Sequence, residues 1–257
     1  MNPELTTLIV VAYHLDFAML RRFIASVVQH WRHDQLVEII VVLNDNHRYR
    51  AEFNAVLDSF QPEEIRIRRI WANEIWPGID HYDWCSQQQL KLMIATHVTT
   101  DWYIIQDCKD FYTGPVSIDT FWAQGWAVEC LSPMDYFDTS SGAGIFTNQY
   151  RNAYKIWGLD FSDHRHLPLK YTTPFQVRTD VIQDMLSDLR AKMGGAFDLL
   201  LHLEYKHHYF VTEFALISGY VTHRGLLEEL YAPRENTYRQ SNELRSSTDR
   251  NKDLRGK

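Results

Sequence analysis

The sequence predicts an α/β fold, a mostly parallel sheet flanked by helices, on three observations. Short β-rich, nearly all-apolar runs recur along roughly the first 110 residues. Stretches with apolar residues at helical spacing separate them. Polar, turn-forming clusters follow the runs on what a parallel sheet makes a common end. Runs that are apolar on both faces belong to strands covered by helices on both sides, and alternation with helices brings parallel pairing.

Thr7 to Ala12 is the first buried-strand candidate. Phe17, Leu20, Ile24, Val27, Val28 and Trp31 then follow helical spacing. Glu38 to Leu43 is the second strand, ending in Asn44-Asp45-Asn46. Tyr49 to Phe60 is amphipathic, with Phe53, Val56, Leu57 and Phe60 on one face. Ile65 to Trp71 is a third strand, Trp84 to His97 a helix, and Trp102 to Gln106 a fourth strand. This alternation makes residues 1–112 a Rossmann-like half.

The rhythm changes after Phe111. Gly114-Pro115 breaks the chain, residues 126–131 are strand-like, and Ser140 to Trp157 is largely helical. Arg165 to Pro174 is a loop. Arg178 to Lys192 and Phe197 to His207 are helices either side of Gly194-Gly195. Thr212 to Tyr220 is a short helix with Thr212 as N-cap, and Tyr220 to Thr222 is β-like. Residues 113–233 thus form a second half of the same domain. The segment 234–257 is polar, with seven Lys/Arg against four Asp/Glu, and is expected to be disordered or partner-dependent.

The net charge of -7 argues against general nucleic-acid binding. The three cysteines, Cys85, Cys108 and Cys130, are odd in number and form no CxxC pair, which favours a reducing compartment. The N-terminus lacks a signal-peptide pattern, and no apolar run approaches bilayer-spanning length. A cytoplasmic location follows, with the basic tail suited to the inner face of a membrane.

The richest stretch is Trp-Tyr-Ile-Ile-Gln-Asp-Cys-Lys-Asp-Phe-Tyr, residues 102–112. A buried strand runs straight into Asp107, Lys109 and Asp110. The carboxyl end of such a strand is where open α/β sheets bind ligands, and mixed charge there suits a nucleotide diphosphate or its metal ion. Strand alternation points Asp107 and Lys109 the same way; the plain alternative is a surface turn. Tyr13-His14-Leu15-Asp16 and Asn44-Asp45-Asn46 close the first two strands on the same side. An aromatic there stacks on a base while Asp and Asn read its polar edge, although each loop alone is also an ordinary turn.

On the helix from Trp84, Leu90, Met93, Ile94 and His97 form a core stripe. Trp84, Gln87, Gln88 and Lys91 share a different face, suited to a sugar or phosphate or simply to solvent. Ser140-Ser141-Gly142-Ala143-Gly144 is a weak phosphate-cradle signal, and the first strand has no GxGxxG after it. Glu213 opens a helix within an apolar segment. Burial there suits a general base, and the helix N-terminus equally suits a structural acid. His223 is a metal or diphosphate candidate, whereas His207-His208 is poorly arranged for chelation.

Taken together, Val-Val-Ala-Tyr-His, Trp-Cys-Ser-Gln-Gln-Gln-Leu-Lys-Leu, Ile-Ile-Gln-Asp-Cys-Lys-Asp-Phe, Ser-Gly-Ala-Gly, Thr-Thr-Pro-Phe-Gln-Val and Thr-Glu-Phe-Ala-Leu-Ile-Ser-Gly-Tyr resemble the bacterial GT-A-like glycosyltransferases of the DUF6492 type over roughly residues 6–225. The resemblance implies a GT-A fold with a nucleotide-binding first half and an acceptor-side second half. It implies a nucleotide-sugar donor and a glycan or glycolipid acceptor, as in bacterial surface polysaccharide biosynthesis. A divalent metal, Mn or Mg, would sit on a D-x-D motif. Asp107 matches the first position, but Lys109 stands at the second and argues against the metal; Asp107 with Asp110 or His223 are the remaining ligand candidates. Glu213 takes the place of the catalytic base, and Tyr13, His14, Asp45, Gln88, Lys91, Asp107 and Lys109 that of donor contacts. A sugar nucleotidyltransferase and a non-catalytic nucleotide- or sugar-binding module are the alternatives.

Overall fold

The computed structural model describes residues 2–60, 63, 65–130, 143–161, 169, 172–194, 211–234 and 244–246. Its first half is β1 (Thr6–Ala12), α1 (Phe17–His30), β2 (Leu36–Leu43), α2 (Arg50–Asp58), β3 (Arg66–Trp71), α3 (Ala72–Ile75), α4 (Trp84–Met93) and β4 (Trp102–Gln106). The second half holds β5 (Asp110–Tyr112), β6 (Trp122–Ala123), β7 (Trp126–Cys130), α5 (Ala143–Ile156), β8 (Phe175–Arg178), α6 (Thr179–Met193), α7 (Glu213–His223), α8 (Leu227–Leu230), β9 (Tyr231–Arg234) and β10 (Leu244–Ser246).

The main sheet has the order β3-β2-β1-β4-β8. The first four strands are parallel and β8 is antiparallel to β4. The expected α/β fold, with a mostly parallel sheet flanked by helices, is therefore present. Every residue of β1 is buried, which is why its sequence shows no polar face. Each fully buried Leu, Ile or Val in this layer contributes about 1.5–3 kcal/mol relative to exposure. The edge strand β3 carries Arg66, Arg68 and Arg69, charges that blunt an open edge. Arg68 also answers the buried Glu38 on β2 at 2.8 Å.

The connections place the site. The chain steps outward from β1 to β2 to β3, then returns through α4 to β4 on the other side of β1. With right-handed crossovers, α1 and α2 cover one face and α4 the other. Phe17 of α1 meets Phe53 of α2, while α4 packs with α6 and α7. The strand order thus reverses between β1 and β4, and a crevice at their carboxyl ends is the topological switch point of the sheet.

Two expectations change. Tyr220 to Thr222 is not β-like but the last part of α7. The helix is buried almost throughout, and the Tyr220 ring packs on Trp157 at 4.9 Å. The Thr222 hydroxyl donates back to the Ser218 carbonyl at 2.8 Å, so tertiary packing overrides β-propensity. Asp107 to Asp110 is a turn closed by the Asp110 N–H on the Asp107 carbonyl at 3.0 Å, rather than a continuation of the strand. Of the tail, residues 244–246 pair antiparallel with β5. Its first residue, Arg234, ends β9, and residues 235–243 and 247–257, Ser140 to Gly142, most of the Arg165–Pro174 loop, the expected helix Phe197–His207 and His208 lie outside the described residues.

Candidate functional site

Four charged side chains form a line at the end of β4. Glu213 Oε1 accepts from Lys91 Nζ at 3.1 Å, and the same ammonium reaches Asp107 Oδ1 at 2.9 Å. Lys109 Nζ holds the other Asp107 oxygen, Oδ2, at 3.1 Å. Side-chain exposure rises along the line, from 0% at Glu213 and 3% at Lys91 to 22% at Asp107 and 45% at Lys109. The chain of alternating charge therefore runs from the core to the surface.

Three elements build it. Lys91 lies on α4, one turn beyond Gln88, whose amide nitrogen, turned toward Glu213, donates to the same carboxylate. Glu213 is the first residue of α7, and the Thr212 hydroxyl caps that helix by accepting from the Ala215 N–H at 3.2 Å. Asp107 leaves β4 just after Gln106, whose partner in the sheet is Val10. Asp107 therefore follows directly on the last residue of β4 that pairs with β1. The Gln88 and Lys91 face of α4 is not a solvated face, because α7 covers it: both residues are buried.

The electrostatics follow from this enclosure. Burial alone raises the Asp107 carboxyl, but Lys91 and then Lys109 outweigh it and hold the group at about 2. Burial pulls the Lys91 ammonium down, and Asp107 with Glu213 more than restores it, so Lys91 stays charged. Glu213 is pushed up by burial, and Lys91 only partly offsets that. Lys109 is likewise raised, Asp107 outweighing its partial burial.

A second cluster closes β1 and β2. The His14 N–H donates to Asp45 Oδ2 at 3.1 Å, and His14 Nδ1 lies 2.5 Å from the same oxygen. The His14 ring stacks on Tyr49 at 4.0 Å with planes 6° apart, and the Tyr13 ring lies 4.2 Å from it, tilted by 48°. Arg48 lies over the Tyr49 ring at 4.5 Å. A polar weave ties this cluster to α4. Asn44 donates to the Asp83 carbonyl and accepts from the Ser86 hydroxyl, each at 3.0 Å, and Gln87 donates to the Val11 carbonyl at 3.1 Å. Asp16 stands between the two clusters: it accepts from the Tyr13 N–H at 3.2 Å, and its charge helps burial raise the Cys108 thiol in the turn after β4.

The structure therefore brings Gln88, Lys91, Asp107, Lys109 and Glu213 into one cluster and Tyr13, His14 and Asp45 into another, both at carboxyl ends of parallel strands. His223 joins neither. It ends α7 ten residues from Glu213, about 15 Å along the axis, and stacks on Trp157. Asp110 turns aside to accept from the Thr173 hydroxyl at 2.7 Å. Asp16 and Asn44 stand in the two loops that the sequence marks, though their hydrogen-bond partners are not legible there, and Tyr49 shows in the sequence only as the start of an amphipathic stretch. The buried thiols Cys85 and Cys108 are both pushed up by desolvation, Cys85 to about 12, so neither is a thiolate nucleophile.

Glu213 is enclosed on all sides, with Lys91 and Gln88 on its oxygens. In this conformation it acts on Lys91 and touches no surface an acceptor could reach.

A family described as "Family of unknown function (DUF6492)" matches residues 6–250. No curated protein matches the chain.

Proposed function

We propose a glycosyltransferase role for this chain, which belongs to the DUF6492 family. It would take a sugar from a nucleotide donor to a glycan or glycolipid acceptor. The observation that carries the reading is the line Glu213–Lys91–Asp107–Lys109 at the switch point between β1 and β4. A parallel sheet in the order β3-β2-β1-β4 with an antiparallel β8 beyond it supports the GT-A form of the fold.

The roles follow from position. The nucleoside lies across the ends of β1 and β2, where Tyr13 offers a ring and His14 and Asp45 offer fixed polar groups. The diphosphate points toward the turn after β4. Lys109, the exposed end of the charged line, meets it as a point charge, and Lys91 supports it from below. Charge developing on the leaving phosphate is stabilised by cations that are already in place. Glu213 is the carboxylate on the acceptor side. Burial makes it hold a proton more readily than a surface carboxylate, the direction a base requires, and serving as one requires that the site open to uncover it.

Among the described residues no helix is long and apolar enough to cross a membrane. We place the protein in the cytoplasm, with the basic tail as its contact to the inner membrane face.

The enclosure of Glu213 and the engagement of both Asp107 oxygens favour one second reading, a module that binds a nucleotide or sugar without turnover. Incubation with a panel of nucleotide sugars separates the two. Slow release of the nucleoside diphosphate is the expected result; binding without release supports the module.

A further inference from the structure

We propose that Lys91 is the resident cation of this site, standing in the role a divalent metal has on a D-x-D motif, and that a phosphorylated ligand is held here without metal. The inference rests on the reading of the site as one for a nucleotide diphosphate. It starts from the donor set. A carboxylate binds a metal through oxygen lone pairs at roughly 2.0–2.2 Å for Mg²⁺ or a similar ion. Asp107 has two oxygens, and each already accepts from an ammonium, at 2.9 Å from Lys91 and 3.1 Å from Lys109. A divalent ion on either oxygen would face a like charge on that same oxygen.

Lys109 occupies the place of a second acid, and nearby acids are committed elsewhere. Asp110 accepts from Thr173, Asp45 holds His14, and Asp16 binds the Tyr13 N–H. Among the described residues no group of three or more His, Cys, Asp or Glu is placed to hold a metal ion. The site therefore does not fit the metal that the resemblance implies.

Lys91 does fit the metal's electrostatic task. It is 3% exposed and carries one positive charge between two carboxylates, Asp107 and Glu213, supplied by different elements. It cannot swing out without leaving the fully buried Glu213 without its ammonium and Asp107 with Lys109 alone, which holds it in place. In this enclosed conformation Glu213 positions that ammonium. The line has equal numbers of acids and ammonium groups, and its outermost member is the 45% exposed Lys109. An arriving diphosphate thus meets a half-exposed ammonium backed by a buried one. The division of labour is specific: Lys91 orders Asp107, and Lys109 meets the ligand.

The test uses the wild-type chain, because Lys91→Met strips the ammonium from the fully buried Glu213 and is expected to fail to fold. Mn²⁺ binding is measured by electron paramagnetic resonance. Binding of UDP, GDP, ADP, CDP and inorganic pyrophosphate is measured by calorimetry in EDTA and again with Mn²⁺. Mn²⁺ alone is expected to bind no more tightly than about 1 mM, and the affinity for the preferred diphosphate to change by less than about twofold between the two conditions. Lys109→Ala, an exposed change that the fold tolerates, is expected to weaken that ligand by roughly 10–100-fold in EDTA. Tight Mn²⁺ binding, or diphosphate binding that appears only with Mn²⁺, overturns the inference while leaving the nucleotide site standing. Unaltered affinity in Lys109→Ala overturns the assignment of the lysines. Failure of every diphosphate to bind under both conditions overturns the inference and the proposed function together.

Discussion

Lys91 decides most at the scale of single residues. Taking one partner out of a buried ion cluster costs about 3–5 kcal/mol, because the remaining charge is stranded. Asp107 gives this a measurable pH dependence. Its folded pKa, about 2, lies below the ordinary value of 3.8, so the unfolded chain binds the proton more readily. The stability it contributes is fully present above about pH 4 and is lost as the pH falls toward 2. The size is about 2 kcal/mol from the same shift. Glu213 works the other way, since burial raises it and its ionisation opposes folding as pH rises. The Asp107 share is therefore read as wild type minus Asp107→Asn in urea denaturation between pH 2 and 5. A difference that does not shrink toward pH 2 contradicts the ion pairing. Glu213→Gln separates base from anchor. As the base, it removes the acidic limb of the rate–pH profile and lowers transfer by about 10²–10⁴-fold. Lower melting temperature with the limb intact leaves Glu213 as the anchor of Lys91 alone.

Much of this residue chemistry was legible and some was not. Asp107 and Lys109 stand at an abrupt change from apolar to charged sequence, which any reading of strand ends exposes. They do meet, but through a turn rather than strand alternation. Lys91 was harder. Gln88 and Lys91 sit on the polar side of an amphipathic pattern, and the pattern alone assigns such a side to solvent as readily as to a ligand. What buries it is α7, more than a hundred residues away, which no local periodicity reports.

At the scale of elements, the first half of the fold was easier to read than the second. β1, β2 and β4 are apolar on both faces because helices cover both, and that leaves an uninterrupted signature. α7 is apolar nearly all round, so neither a helical stripe nor strand alternation stands out, and its last turn looked like β-structure. Its packing supplies a prediction. A Cβ on Gly219 would lie 2.8 Å from Trp157 Cδ1, 3.3 Å from Tyr154 Cδ2 and 3.4 Å from the Ala153 carbonyl carbon. The two helices α5 and α7 approach closely there. Gly219→Ala gains helix propensity of about 1 kcal/mol but must displace a buried indole, at about 1–3 kcal/mol. Net destabilisation is expected in chemical denaturation; a more stable variant means the Trp157 ring yields without strain. A second element-scale test is Asp83→Ala. Asp83 Oδ1 accepts from the Ser86 N–H at 2.9 Å, and its own N–H donates to the Ser86 hydroxyl at 2.8 Å. The change loses the cap of α4, at about 1 kcal/mol, and loosens the tie to Asn44 and the end of β2. Weaker nucleotide binding should accompany the lower stability; unchanged binding separates the cap from the site.

For the whole molecule, topology does the placing. The strand order reverses between β1 and β4, and the two clusters lie on either side of that reversal. The sequence implied this once four strand candidates alternated with helices, because parallel pairing puts all their polar ends together. It did not imply that His14 would be locked to Asp45 or that Asn44 would be tied to Asp83 and Ser86, since these are contacts across loops. The most direct test of the nucleotide site is a crystal structure of the chain with its preferred nucleoside diphosphate bound. The base is expected against Tyr13 beside the His14–Asp45 pair, and the phosphates within hydrogen-bond reach of Lys109 at the turn after β4. A diphosphate bound away from the carboxyl ends of β1, β2 and β4 would contradict this placement.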